Sequence, residues 1–232
     1  MVRGMRVAVF VDFDGTIAPN DPTDALFARY ADPAWRMIEE QWQTGRLSSR
    51  DCMRAQVELL RVFPGQLDQF AEAVDIDPSF PDFLRLCRRF GASVVVVSDG
   101  LDRVIDRALA MARLELPFVA NKLISLGGDR WKLMFPYARN DCPSGMGNCK
   151  CGHGITTRGQ LDVMIGDGQS DFCIAERASF VLAKGRLAAH CRACGLPHVE
   201  IEDFADATAI MAHWFTAQGA AAQTSAAEWH EQ

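Results

Sequence analysis

The chain has 232 residues, 24 Lys and Arg against 30 Asp and Glu, a net charge of −6, and 49% hydrophobic against 23% charged residues. This mixture excludes disorder as the dominant state, and the length suits one α/β domain, or one with a modest insertion. No apolar run approaches the roughly 20 residues of a membrane span, and no basic stripe marks a nucleic-acid partner.

In chain order, the opening residues are interrupted too early by Asp12 to read as a secretory signal. Eight cysteines, at 52, 87, 142, 149, 151, 173, 191 and 194, are therefore expected as free thiols in a reducing, cytoplasmic setting. Residues 7–11, VAVFV, form a continuous β-branched apolar run, the pattern of a strand buried on both faces of a parallel sheet. Residues 22–77 hold no such run. Their apolar positions recur at helical spacing (Leu26, Phe27, Tyr30; Trp35, Ile38, Trp42; Val57, Leu59, Leu60), which predicts a small helical insertion with Pro78 and Pro81 at its exit. A helix is expected over 82–90, a second buried strand at 94–97, a helix over 101–113 and a hairpin within 122–136 around Gly127-Gly128. A third strand is expected at 161–165 and a helix over 169–177, and the Ala-rich stretch 219–232 is expected to fray. Repetition of strand, polar loop and helix predicts a doubly wound parallel sheet with helices on both faces, and such sheets bind ligands at the carboxyl ends of their strands. The expected division is an α/β core over 1–18 and 80–218 with the helical insertion over 19–79.

Each buried strand runs into small and acidic residues. Asp12-Phe13-Asp14-Gly15-Thr16 places two carboxylates two positions apart at a strand end, where one can attack phosphorus and the other can move a proton. Gly15 permits a tight turn and close approach of the backbone to an anion. Gly166-Asp167-Gly168-Gln169-Ser170-Asp171 offers Asp167 and Asp171 for a hard cation such as Mg²⁺. The plain alternative there is a capped helix start.

Together these motifs resemble those of haloacid-dehalogenase-superfamily phosphatases: Asp12 to Thr16 first, Ser98 after residues 94–97 second, Lys150 third and Gly166 to Asp171 fourth. Lys122, Lys132 and Lys184 are the competing lysines. The resemblance spans nearly the whole chain. It implies a Mg²⁺-dependent phosphomonoesterase in which Asp12 becomes an aspartyl-phosphate and Asp14 serves as acid and then base. Ser98 and Lys150 would hold phosphate oxygens, and Asp12, Asp14 (through its carbonyl), Asp167 and Asp171 would form the metal site. Around them, Gly15, Thr16, Asp21, Gln56, Asp99 and Gly100 are expected near the substrate. The insertion between the first two motifs is of the kind found as a helical cap in phosphoserine phosphatases.

The pattern around Pro33-Ala34-Trp35, Ser98-x-Gly100-Leu101-Asp102, Asn121 and Phe135-Pro136 is closer to the methionine-salvage branch, which dephosphorylates 2-hydroxy-3-keto-5-methylthiopentenyl-1-phosphate. Three departures bear on the substrate. Asp99 stands where those relatives carry glycine, so its carboxylate is expected to point away from phosphate. Gln56 lies near the position of an arginine that grips the phosphoserine carboxylate, and a neutral amide is no substitute for that clamp, although Arg54 is close in sequence. The residues after Lys150, Cys151-Gly152-His153-Gly154, also differ. Asp21 reads either as an acid near the substrate or as an N-cap ahead of Pro22. Trp35, Trp42, Phe27 and Met53 read either as pocket lining or as packing within the insertion.

Cys142, Cys149, Cys151 and His153 lie within twelve residues and would suit tetrahedral zinc, which could brace the loop that presents Lys150. Cys191 and Cys194 read as helix packing, and Cys52, Cys87 and Cys173 as small buried hydrophobes. The expected partner is a small phosphorylated metabolite, with the chain a monomer or homodimer. A phosphoserine-type substrate, transfer of the phosphoryl group to an alcohol, and a catalytically silent metal-binding relative are the competing readings.

Overall fold

The structure, a computed structural model, describes residues 6–142, 145–153 and 160–228, with backbone alone for 160 and 218–228. β1 (Arg6–Val11) is the middle of a seven-stranded sheet ordered β4-β3-β2-β1-β5-β6-β7. It pairs in parallel with β2 (Ser93–Leu101) on one side and β5 (Gln160–Gly166) on the other, so that Val9 faces Val94 and Val163. β3 (Phe118–Gly127) continues the parallel order beyond β2, while β6 (Phe180–Ala183) and β7 (His198–Glu200) continue it beyond β5. β4 (Arg130–Met134) folds back antiparallel on β3, the hairpin expected around Gly127-Gly128. Strand order therefore reverses at β1, and the crevice at the carboxyl ends of β1, β2 and β5 is where such a sheet admits a ligand.

Period-two alternation along β1 separates the two faces. Val7, Val9 and Val11 join Phe80, Phe83 and Phe204 beneath α5 (Phe80–Arg89) and α9 (Phe204–Glu228). Ala8 and Phe10 join Met164, Ile174, Val181 and Leu187 beneath α7 (Phe172–Ala175) and α8 (Gly185–Cys194). Continuous apolar sequence in the strand is thus required by two cores, one on each side. α8 ends at Gly195 in the left-handed conformation (φ 65°), which glycine adopts without the penalty of a Cβ. α9 runs to Glu228, so the backbone is helical through most of the stretch expected to fray; residues 229–232 lie outside the described residues.

Four helices stand between β1 and α5: α1 (Pro22–Tyr30), α2 (Trp35–Gln43), α3 (Ser49–Leu59) and α4 (Pro64–Glu72). The chain leaves and returns at one place, where Asp77 N–H donates to the Ile17 carbonyl at 2.9 Å. The insert has its own apolar cluster, Leu26, Phe27, Trp35, Val57, Leu60 and Leu67. That cluster is continuous with Leu101, with Val104 on α6 (Asp102–Met111), and with Leu123, Trp131 and Leu133 of the β3–β4 hairpin. Trp131 Nε1–H donates to the Val62 carbonyl at 2.8 Å, fixing hairpin against insert. The hairpin therefore seats the insert above the strand ends. The second motif sits differently from expectation: β2 extends through Leu101 with a register shift after Val97, so Ser98, Asp99 and Gly100 belong to an irregular strand end and not to a loop.

Candidate active site

Asp12 follows β1 directly, and its N–H still pairs with the Ile165 carbonyl at 2.9 Å, so the sheet itself sets the carboxylate at the switch point. Its Oδ1 accepts from Phe13 N–H at 2.7 Å and lies 2.7 Å from Lys150 Nζ. Lys150 is wholly buried and also reaches Asp171 Oδ1 at 2.6 Å and Ser170 Oγ at 3.0 Å. Asp171 Oδ2 accepts from the N–H groups of Asp167 and Gly168, both at 3.1 Å. Both Asp171 oxygens are thereby engaged, one orienting the lysine and the other closing the turn after β5. Among the competing lysines, Lys122 and Lys132 are exposed on the hairpin, while Lys184 acts on Asp167 through its charge.

Asp14 is held from two sides. Oδ1 accepts from Thr23 N–H at 3.1 Å and Thr23 Oγ1–H at 2.8 Å, and Oδ2 accepts from Ser98 Oγ–H at 3.1 Å. Ser98 Oγ accepts in turn from Gly100 N–H at 2.9 Å. Gly15 adopts a left-handed φ of 75°, and a Cβ there would stand 2.4 Å from Asp167 Oδ2. Glycine thus lets the first motif press against the fourth, where Thr16 Oγ1–H donates to Asp167 Oδ1 at 3.1 Å. A Cβ on Gly100 would lie 2.3 Å from Asp14 Oδ2, so the second motif needs its glycine for the same reason.

Of these groups, Asp12, Asp14, Gly100, Asp167 and Ser170 line one cavity of about 140 Å³, whose other wall comes from the insert: Asp21, Thr23, Asp24, Glu39, Trp42, Ser49, Cys52, Met53 and Gln56. No lysine or arginine lines it among the described residues. Asp21 Oδ1 caps α1 by accepting from Asp24 N–H at 2.9 Å, and the residue also lines the cavity. Gln56 is buried and spends its amide inside the wall, donating to Glu39 Oε2 at 3.0 Å. Trp42 and Met53 line the cavity, whereas Phe27 and Trp35 pack within the insert. Asp99 points its carboxylate toward Ser49, Asn121 and Asn148.

The site is richer in negative charge than its lysine can balance. Burial first and Asp171 next hold the Asp12 carboxyl well above the usual carboxylate range, against the pull of Lys150. Burial and then Asp171 push Asp167 up to about 6. Burial alone would lower the Lys150 ammonium, but Asp12 and Asp171 more than reverse this and hold it above its ordinary value. Asp24 is pushed up to about 6 by withdrawal from water, then by Glu39 and Asp14. Asp12, Asp167 and Asp171 each bring a carboxylate oxygen within 4.8 Å of the others. Hard oxygen donors carrying surplus negative charge are the donor set a divalent cation such as Mg²⁺ requires.

The cysteine loop does not offer a comparable set. Cys149 and Cys151 are buried with their sulfurs 3.3 Å apart, but His153 turns its Nε2 to Asn148 Oδ1 at 2.5 Å. Cys142, Cys149, Cys151 and His153 do not converge on one point, and the acidic trio is the sole convergent group among the described residues. All eight cysteines are free. Gly154 and the residues that follow it to 159 lie outside the described residues.

A family model for haloacid dehalogenase-like hydrolases matches residues 9–176, from β1 through the fourth motif. The chain belongs to this family. Curated relatives include two enzymes named 2-hydroxy-3-keto-5-methylthiopentenyl-1-phosphate phosphatase. The one from Brevibacillus brevis is 28% identical over 89% of this chain and 95% of its own. The one from an Exiguobacterium species is 29% identical over 89% of this chain and 98% of its own. Among solved structures, a substrate-bound phosphoserine phosphatase superposes with a TM-score of 0.64 at 20% identity, covering 86% of this chain and 95% of that one. Phosphoserine phosphatase from T. onnurineus gives 0.66 at 18% identity over 90% and 96%. These superpositions show that this haloacid dehalogenase-like hydrolase shares their α/β fold.

Sequence reasoning did not single out Thr23, Glu39 or Ser170. Thr23 reads as an ordinary helix-start residue after Pro22, and only the fold brings it to Asp14. Glu39 lies on a polar helix face and carries no motif. Ser170 lies inside the fourth motif, where the sequence offers it no role beyond the alternative of a capped helix start.

Proposed function

We propose that the protein is a Mg²⁺-dependent phosphomonoesterase of a small phosphorylated metabolite, with the methionine-salvage ester 2-hydroxy-3-keto-5-methylthiopentenyl-1-phosphate the favoured substrate. The observation that carries this reading is that Asp12, Asp14 and Asp167 line one cavity at the switch point of the sheet, with Lys150 paired to Asp12 and Ser98 bonded to Asp14 behind them. The favoured substrate rests on the curated relatives' names and on the sequence pattern around the second motif.

In this reading residues 19–79 form a cap over the core. Asp12 Oδ1 is taken up by Phe13 and Lys150, whereas Oδ2 has no hydrogen bond among the described residues and is the oxygen that attacks phosphorus. Asp14, held by Thr23 and Ser98, gives a proton to the leaving alcohol and later takes one from the attacking water, so that water frees Asp12. Ser98 and Lys150 hold phosphate oxygens. Asp12 and Asp167, with the Asp14 carbonyl, would hold the cation while Asp171 braces Lys150. Bound there, Mg²⁺ supplies charge that lets an anionic ester approach an anionic nucleophile. The insert wall bears on the leaving group. Asp24 and Glu39, with Gln56 turned inward and no cation in the lining among the described residues, favour a neutral hydroxylated or carbonyl-bearing group over the carboxylate of phosphoserine. Eight unpaired thiols accord with a reducing compartment.

The test is turnover of p-nitrophenyl phosphate by wild type and Asp12→Asn, with Mg²⁺ and with chelator, followed by a panel containing the methionine-salvage ester and phosphoserine. Metal-dependent turnover lost in Asp12→Asn is expected, with phosphoserine the poorer substrate. Equal rates in the two proteins would remove the nucleophile, and a preference for phosphoserine would remove the reading of the insert wall.

A further inference from the structure

Asp99 lies between the phosphate-side Ser98 and Gly100, yet both of its carboxylate oxygens are committed elsewhere. Oδ2 accepts from Ser49 Oγ–H at 2.6 Å, and Ser49 is the first residue of α3 in the helical insert. Oδ1 accepts from Asn148 N–H at 2.7 Å and from Asn121 Nδ2–H at 2.9 Å. Asn148 stands two residues before Lys150, and its side-chain amide donates to the Ser98 carbonyl at 2.8 Å and the Val119 carbonyl at 3.0 Å. One half-buried carboxylate therefore touches three segments: the insert, β3, and the loop that carries the lysine. A second tie runs beside it, as Arg50 N–H donates to the Gly145 carbonyl at 3.2 Å, and Arg50 Nη2–H to the Arg139 carbonyl at 3.2 Å. Burial pushes the Asp99 carboxyl up, while Ser49, Asn121 and Asn148 oppose that shift by bonding to the charged form.

We propose that Asp99 is a positioning residue, whose carboxylate holds the helical insert and the Lys150 loop to the Ser98 strand end, so that cap and ammonium are set over Asp12 by the same group. This rests on the phosphatase reading above. Neither a substrate contact nor a metal contact is required of Asp99, since Ser49, Asn121 and Asn148 use both oxygens. Three charge-assisted hydrogen bonds to one acceptor are lost together when it is removed, and a donor left unpaired in a buried setting is more damaging than the bond's net worth. The two arms separate by function. The Asn148 arm sets the lysine and hence affinity for the phosphoryl group; the Ser49 arm sets the insert and hence affinity for the leaving group.

The experiment compares Asp99→Ala, Asp99→Asn and Ser49→Ala for kcat and KM on a small alkyl phosphate, and for binding of inorganic phosphate by calorimetry with Mg²⁺ present. Asp99→Ala is expected to lower kcat by about ten- to a hundredfold and to weaken phosphate binding about tenfold. Ser49→Ala is expected to raise KM about threefold or more, with a smaller change in kcat and phosphate binding retained. Asp99→Asn is expected to recover most of the Asp99→Ala loss, because its carbonyl oxygen accepts from Asn121 and Asn148 while its amide donates to Ser49 Oγ. A folded Asp99→Ala with wild-type kcat and phosphate affinity overturns the proposal, as does Asp99→Asn no better than Asp99→Ala. Should Asp99→Ala fail to fold, Ser49→Ala decides, and an unchanged KM overturns the insert arm. Phosphate binding reads the lysine arm independently of turnover, so a wild type that hydrolysed no ester would count against the phosphatase reading alone.

Discussion

Replacing Lys150 by methionine removes an ammonium in contact with two buried carboxylates while keeping most of its volume. Nζ lies 2.7 Å from Asp12 and 2.6 Å from Asp171. At an effective dielectric constant of about 20, each contact is worth roughly 6 kcal/mol of attraction. Against this stands the desolvation of the ions, several kcal/mol each, so the pairs' net contribution is far smaller than their sum. Removing the shared partner is another matter, because two carboxylates are left facing each other without it. We expect the metal-free variant to lose about 3–5 kcal/mol of stability at neutral pH. The sign of its pH dependence follows. Asp12 is already raised above 3.8 by burial and by Asp171, and it loses the Lys150 that opposed the shift. Folded chains then hold more protons than unfolded ones between 3.8 and the raised value, so stability falls as pH rises through that window. The deficit is therefore fullest at about pH 8 and shrinks toward about pH 4. Urea unfolding with chelator present, at both ends of this range, measures it. With Mg²⁺ restored, kcat should fall about 10²–10³-fold. A variant as stable as wild type at high pH, or one whose deficit grows on acidification, would refute the reasoning.

In single turnover, Asp14→Asn should slow phosphoryl transfer to the enzyme by about 10²–10⁴-fold with an alkyl phosphate and by much less with p-nitrophenyl phosphate, whose phenolate departs without a proton, while hydrolysis of the intermediate slows equally for both; equal losses in the transfer step would contradict the acid role. Asp24 is partly exposed and is raised to about 6 by withdrawal from water, then by Glu39 and Asp14. A raised carboxyl is stabilising only while protonated, so Asp24→Asn should raise the melting temperature modestly at about pH 8 and not at about pH 4. A gain of equal size at both pH values would show that the charge is not its cause.

Much of this arrangement was legible because its signals are local. A five-residue apolar run buried on both sides can be read as a central strand, and the carboxylates that follow it must emerge at the strand's end. Lys150 follows from the family resemblance, which places the third-motif lysine just before the segment leading to the Asp167 strand, and the fold brings its Nζ to Asp12. The rest depended on contacts between distant segments. β6 and β7 span four and three residues, too short for periodicity to register. Thr23 meets Asp14 only because the Asp77–Ile17 bond and the hairpin's Trp131 seat the insert over the sheet. Cysteine spacing suggested zinc, but spacing along a loop does not aim side chains, and His153 is drawn to Asn148 instead. Asp99 could be read as turned from phosphate, yet nothing in the chain pointed to Ser49 and Asn148 as its partners.

The central claim is that Asp12 itself accepts the phosphoryl group. Rapid acid quenching during turnover, borohydride reduction and peptide mass spectrometry test it most directly, since an acyl phosphate is reduced to an alcohol. The account predicts homoserine at position 12 in wild type, dependent on substrate and Mg²⁺, and none in Asp12→Asn. Reduction at a different carboxylate, or a pre-steady-state burst with residue 12 unmodified, would contradict it.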